Sequence, residues 1–336
     1  MIKNSLIFVF ALVSFYGMQA QDLHFSQSTQ TPLLINPGNA GQGKSDYQGI
    51  MNYRTQWKSF GKAYNTFLVS FDGEIVEKDN GILSFGLIMY KDNSATIYKS
   101  TGFSAIGAYD LHVSDNQGLS FGLGIGMNQL RFSLDDRQWG SQYDGSGFNS
   151  TLAGDLQESN FTEADANIDL SSGIVWHYSK NSKNSFSNDN LRINLGLAGY
   201  HLNEPVYEMS GISSHPNHRR FVVFGDAFIG IENKNISFIP SFAVQLAGGS
   251  KEILLGTMFR YSIQEASKVT DLNNEIAFSL GGSLRLGDAI SPMINLEYGS
   301  FGFGLSYDMN LSQLRQTTKG RGGFEFALKY MIDKEK

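Results

Sequence analysis

The chain has 336 residues, a formal net charge of −6, 17% charged residues, 13% aromatics, 37 glycines and no cysteine. The absence of cysteine excludes a lipoprotein anchor, a thiolate metal site and a disulfide framework, and an acidic, sparsely charged chain lacks the basic face that nucleic acid demands. A charged fraction below the usual quarter, with abundant glycine and aromatics, is the composition of a transmembrane β-barrel.

The first residues read as a secretory signal. Lys3 supplies the positive end, Ile7 to Phe15 form an apolar run broken only by Ser14, and Ala20 offers a cleavage site. Such a stretch is too short to span a membrane stably and is normally removed. Its loss removes one basic residue, which leaves 25 basic and 32 acidic residues and a formal charge of −7. The next segment, 21–46, carries no strand pattern and is expected to lie in the periplasm or to fold into a barrel lumen. No run of 18 or more apolar residues follows, so no inner-membrane helix is predicted.

From residue 47 onward the pattern has period two. Leu119, Phe121, Leu123, Ile125 and Met127 alternate with Ser120, Gly122, Gly124, Gly126 and Asn128. One face suits lipid and the other a crowded or wet lumen. Ile168, Leu170, Ile174, Trp176 and Tyr178 repeat the pattern, as do Ile276, Phe278, Leu280, Leu284 and Leu286, and finally Phe324, Phe326, Leu328, Tyr330 and Ile332. The alternation predicts fourteen strands, near 47–57, 65–73, 82–91, 101–113, 118–132, 167–179, 191–201, 219–231, 236–247, 252–263, 274–286, 289–298, 301–311 and 323–332. The fold class is therefore all-β, an antiparallel up-and-down transmembrane barrel over 47–332, and an even count fits bacterial barrels. In the strand 219–231, Val222, Phe224 and Phe228 make the second face apolar too, which predicts packing against a plug or a neighbouring protein.

Loop lengths are consistent with that reading. With the N-terminus in the periplasm, the long connections 133–166 and 202–218 follow odd-numbered strands and face outward, whereas the short turns 114–118 and 232–235 face inward. The parity is imperfect, because 248–251 and 287–288 are short outer connections.

Few residues suggest chemistry. Gly122, Gly124 and Gly126 alternate within a strand and open no helix, so they are no dinucleotide loop. His215 and His218 lack a third ligand. Asp135, Asp136, Asp155, Glu158, Glu163 and Asp165 lack a calcium-loop spacing and read as a solvated loop. His112 and His177 sit on polar strand faces without a serine-centred motif. No catalytic, cofactor-binding or metal-binding residue is assigned, and no cofactor is expected. Arg54, Arg260, Arg285, Asp110, Asp226 and Glu297 also lie on polar faces. Ion pairs across the lumen are expected for them, with a pore-lining ring as the alternative.

Several short motifs have a familiar order. Phe25-Ser26-Gln27, Pro32-Leu-Leu-Ile-Asn-Pro37, Gly38 and Gly41 resemble the N-terminal signature of the PorP/SprF family, with Gly38 where that family usually has Ala. Asn52-Tyr53-Arg54, Gln56-Trp57, Tyr64, Ser70 and Asp72 are similar to its next segment. His201-Leu202 and Pro205 resemble its central element, and Gly304 to Asp308, Ser312, Leu314 and Gly323-Phe324-Glu325 resemble its last hairpin. The resemblance implies an outer-membrane protein of Bacteroidota tied to the type IX secretion system, without enzymatic activity. It implies a role in exporting or holding large cell-surface adhesins, including those of gliding. The partners implied are adhesin substrates with a type B C-terminal sorting domain and other components of that system, beside outer-membrane lipid. On this reading Arg54 belongs to a luminal network and Trp57 is an interfacial anchor. A diffusion porin or solute channel is the alternative.

Overall fold

The structure, a computed structural model, describes residues 23–43, 45–56, 63–94, 98–132, 140–152, 164–180, 190–208, 215–264, 275–312 and 320–332. The expected signal segment, its cleavage site and Trp57 lie outside these residues, as do Asp135, Asp136, Asp155, Glu158 and Glu163.

Alternating side chains build the wall. The strands are β1 (Tyr47–Gln56), β2 (Tyr64–Lys78), β3 (Gly81–Ser94), β4 (Tyr98–Ser114), β5 (Gln117–Phe132), β6 (Ala164–Lys180) and β7 (Leu191–Tyr200). Two short strands follow, β8 (Val206–Tyr207) and β9 (His215–Pro216), and then β10 (Arg220–Gly230), β11 (Ile236–Ala247) and β12 (Ser250–Gln264). The last four are β13 (Ile276–Arg285), β14 (Ala289–Tyr298), β15 (Phe301–Asn310) and β16 (Arg321–Ile332). All but β8 and β9 form one closed antiparallel barrel of fourteen strands, in sequence order around the wall. The seam is closed by β1 against β16, with Tyr47 opposite Ile332 and Arg54 opposite Glu325. Closure leaves no unpaired edge, the condition for crossing lipid with strands.

Each predicted strand has its counterpart in the barrel. Several run further than alternation suggested. β2 continues to Lys78 and β6 starts at Ala164, because polar residues beyond the apolar band still pair in water. The pair β8–β9 lies inside the connection 201–219, where no strand was predicted.

The two faces differ as a membrane barrel requires. Leu123 is 71% exposed on the outer face, whereas Ser120 on the same strand is fully buried inside. Ile168, Leu197, Phe259 and Leu280 are likewise exposed. In water such a continuous apolar surface would drive aggregation; in lipid it is the solvated face. Among the described residues no helix is long and apolar enough to cross a membrane.

The core of the molecule is its lumen. Residues 23–43 run through it as short turns: a 3-10 turn at Ser28–Gln30, a one-turn helix α1 at Pro32–Ile35 and a 3-10 turn at Pro37–Asn39. Proline opens the second and third, where its missing N–H costs nothing. Phe25, Leu33, Leu34 and Ala40 pack against Leu68, Ile88, Ile106 and Ala108 of β2, β3 and β4. On another side Ile35 meets Val175, Ala198, Val222 and Phe224 of β6, β7 and β10. A fully buried side chain such as Leu33 stabilises by about 1.5–3 kcal/mol. The apolar inner face of β10 is thus explained by Ile35 and its neighbours.

Candidate functional site

The N-terminal segment is held to the wall at every level. Asn36 shows how local sequence fixes this. Its Oδ1 accepts from Gly38 N at 2.7 Å, which caps the turn Pro37–Asn39. Its Nδ2 donates to Ile174 O at 3.1 Å and Leu197 O at 2.9 Å, on β6 and β7. A single buried amide therefore ends α1, starts the next turn and bridges two strands. Nearby, Ser120 Oγ donates to Gly38 O at 2.7 Å. Gly122 is a required glycine, because a Cβ there would sit 2.3 Å from the carbonyl carbon of Pro37. At the end of the segment Gly41, with φ +75°, donates its N–H to Asp72 Oδ2 at 2.9 Å.

Helix α1 is clamped at its carbonyl end. Arg220 Nη2 donates to Leu34 O and Nη1 to Leu23 O, both at 3.3 Å, and Tyr200 Oη donates to Leu33 O at 2.9 Å. The Arg220 guanidinium also lies 4.2 Å from the Tyr200 ring centroid.

The start of the segment is locked by charge. Arg54 Nη2 lies 2.9 Å from Asp308 Oδ2, and Arg54 Nε lies 3.1 Å from Glu325 Oε1. Arg54 also donates to His24 O at 2.7 Å. Glu325 accepts from the backbone N–H of Ser26 at 2.8 Å and of Gln27 at 3.1 Å. Ser26 Oγ donates to Asp308 at 2.7 Å and accepts from Arg285 Nη2 at 2.6 Å. Arg285 reaches Asp288 at 2.9 Å and Glu252 at 3.6 Å. All of Arg54, Asp308 and Glu325 are at most 2% exposed. Charges buried this deeply persist only when paired and hydrogen-bonded.

The other expected charges are also partnered. Arg260 binds Glu297 at 2.7 Å and also contacts Glu275. Asp110 meets His177 at 2.8 Å. Asp226 accepts from Asn194 at 3.0 Å. His112 is exposed at the end of β4. Asp308, Glu325 and His201 were read from sequence only as motif residues, and neither they nor Glu252 and Asp169, which lies 3.0 Å from His201, were assigned to a charge network. Their positions on inward faces were readable, but nothing in the sequence named the segment that they hold. Among the described residues no group of three or more His, Cys, Asp or Glu is placed to bind a metal. His218 is exposed, and Asp165 accepts from Glu208 N at 2.7 Å.

Beside the segment, at the end where β1 begins and β16 finishes, a cavity of about 290 Å³ remains. It lies against β1, β7, β10 to β14 and β16, since apolar side chains of the segment pack on β2 to β4. The opposite end carries the connections after β5 and β7. Part of the first, Gly140–Leu152, is a compact turn in which Asp144 accepts from Ser146 N, Ser146 Oγ and Gly147 N. These donors hold the Asp144 carboxyl below the usual carboxylate range.

Fold and lumen together define a transmembrane β-barrel filled by its own N-terminal segment. The profile of the type IX secretion system membrane protein PorP/SprF matches residues 17–330, and the chain belongs to that family, a non-enzymatic secretion component. No curated protein matches. Among solved structures, the toluene transporter TbuX of Ralstonia pickettii is 9% identical, with 90% of this chain and 94% of that one covered and a TM-score of 0.48. A FadL homologue of Pseudomonas aeruginosa is 11% identical over 84% of this chain and 89% of its own, with a TM-score of 0.47. BamA of Haemophilus ducreyi is 12% identical over 85% and 70%, with a TM-score of 0.42.

Proposed function

We propose that the protein acts in the outer membrane as a docking body of the type IX secretion system, assisting export or surface attachment of adhesin-type substrates. In this reading residues 1–20 are a signal peptide cleaved near Ala20, 21–46 are a luminal plug, and 47–332 are the barrel. The adhesins carry a type B C-terminal sorting domain, and gliding adhesins are among them. The start of β1 and the end of β16 face the periplasm and the long connections face outward.

The observation that carries the reading is the filled lumen in a chain of this family. Free diffusion needs an open, water-filled channel. Here buried apolar side chains and a hydrogen-bonded charge network occupy it from Phe25 to Gly41. The porin alternative needs a path past Leu33, which is fully buried. The test is deletion of the gene, followed by surface-proteome analysis. Loss of one or a few large adhesins from the surface, with other outer-membrane proteins unchanged, is expected. Unchanged adhesin display sinks the proposal.

A further inference from the structure

The outward face of the wall ends in a cationic patch on three neighbouring strands. Met89 of β3, Phe103 of β4 and Met127 of β5 form one exposed apolar row across the ladder. The next outward row towards the long connections is Lys91, Thr101 and Gln129, and the row after it is Asn93, Lys99 and Arg131. At about 3.4 Å per residue and a tilt of about 40°, the three cations stand about 5–10 Å beyond the apolar row. That is the depth of the headgroup layer that flanks the hydrocarbon.

Nothing in the protein neutralises the patch. Lys99 and Arg131 are direct cross-strand partners, and like charges in that position repel. Lys91 is the diagonal neighbour of Lys99. None of the three has a hydrogen bond or an ion pair with a described residue. Asp92, next to Lys91, faces the other side of β3 and accepts from Thr66. Asp165 of β6 lies opposite the inward Leu130 and accepts from Glu208 N.

The charge is local and of one sign. Directly across the barrel from β4, Leu286 and Ile290 take the outward positions beside the turn between β13 and β14. Among the described strands, the other charged residues on this outward rim are Lys251 and Arg321, both basic. A chain of net charge −6 therefore keeps its carboxylates off this rim. The patch continues the lipid-facing surface and does not point into the lumen, so the anion that it meets is one carried by lipid. Lys and Arg bind phosphate through charge-assisted hydrogen bonds. The cations span two strand spacings, about 10 Å, which suits a headgroup larger than a single phosphate.

We propose that β3, β4 and β5 carry a binding site for a phosphorylated glycolipid of the outer leaflet. Lys91, Lys99 and Arg131 hold its phosphates, and Met89, Phe103 and Met127 meet its acyl chains. The assignment to the outer leaflet rests on the orientation proposed above. Binding is read without adhesin display, so either reading can fail alone.

The test is native mass spectrometry of the folded full-length protein in detergent, titrated with diphosphoryl lipid A. Saturable binding is expected, and lipid A stripped of its phosphates should bind at least roughly tenfold more weakly. Each cation contributes about fivefold, so Arg131→Gln should weaken binding about fivefold and the triple variant Lys91→Gln/Lys99→Gln/Arg131→Gln roughly 100-fold. Lys251→Gln, an outward cation outside the patch, should change it less than about twofold. Folding is checked by heat-modifiable migration on a gel, and Arg131→Gln carries the test where the triple variant does not fold. Absence of saturable binding, equal binding of the two forms of lipid A, unchanged binding by the patch variants, or an equal loss with Lys251→Gln overturns the proposal. Displacement of lipid A by inorganic phosphate at equal concentration assigns the patch to free phosphate, and displacement by a polyglutamate peptide assigns it to an acidic protein. Either result also overturns the proposal.

Discussion

Arg54→Met is the sharpest perturbation of the plug. The substitution keeps an unbranched apolar stem and removes the charged guanidinium. It deprives Glu325 and Asp308 of the cation within 3.1 Å and 2.9 Å, and it frees His24 O. Glu325 keeps its two backbone donors and Asp308 keeps two hydroxyl donors. Arg285, 3.7 Å from Asp308, is then the nearest cation for two carboxylates. Breaking one side of a buried pair costs about 3–5 kcal/mol, and we expect a loss of about 3 kcal/mol in urea unfolding followed by tryptophan fluorescence in detergent. The plug should feel this first, since Ser26 and Gln27 bind the same carboxylates. With no native cysteine, Ala40→Cys, at a site 1% exposed, gives a clean reporter. Its maleimide labelling should rise roughly 100-fold in the Arg54→Met background, the ratio that about 3 kcal/mol implies. Adding Glu325→Gln removes the orphaned charge and should recover about half of the loss, a coupling of about 1.5 kcal/mol plus whatever Glu325→Gln costs alone. A cost of Arg54→Met under about 1 kcal/mol, or simple additivity with Glu325→Gln, would refute this account of the network.

The close approach at Gly122 predicts that Gly122→Ala forces the plug backbone aside, at about 1–3 kcal/mol. Gly107→Ala, where a Cβ meets nothing within 4 Å, should be neutral within about 0.5 kcal/mol, and the same unfolding assay compares them. Asn36→Ala should cost about 1–3 kcal/mol, because it strands the carbonyls of Ile174 and Leu197 inside the wall. Asn36→Asp places an anion against those carbonyls and should be worse at neutral pH. Its carboxyl is raised above the unfolded value, so the extra penalty shrinks as pH falls and vanishes below about pH 4, the unfolded carboxylate value. Unfolding curves for the two variants at neutral and acid pH check this, and a pH-independent difference counts against it.

The wall was legible from sequence because lipid imposes a strict rule. Every outward side chain from Phe121 to Met127 must be apolar, and every inward one small or polar, so period two is written out in full. The plug follows no such rule. Its turns are three or four residues long, too short for any period to emerge. Leu33 and Leu34 face β2 to β4 while the next residue, Ile35, faces β6, β7 and β10, a division that no single helical or strand face would produce. The trace it leaves in the sequence is indirect: the doubly apolar β10, whose Val222 and Phe224 are 1% and 6% exposed, already required something inside the barrel. The charge partners were half legible. Arg54 on an inward face needed an anion, yet Asp308 and Glu325 lie more than 250 residues away in sequence. Only closure of β1 on β16 brings them together.

The most direct test of a filled barrel is conductance of the purified protein in a planar bilayer. The full chain should show no large, steady single-channel current, and a variant lacking 23–43 should show one. Large, steady currents from the full chain would contradict the account and favour a diffusion channel.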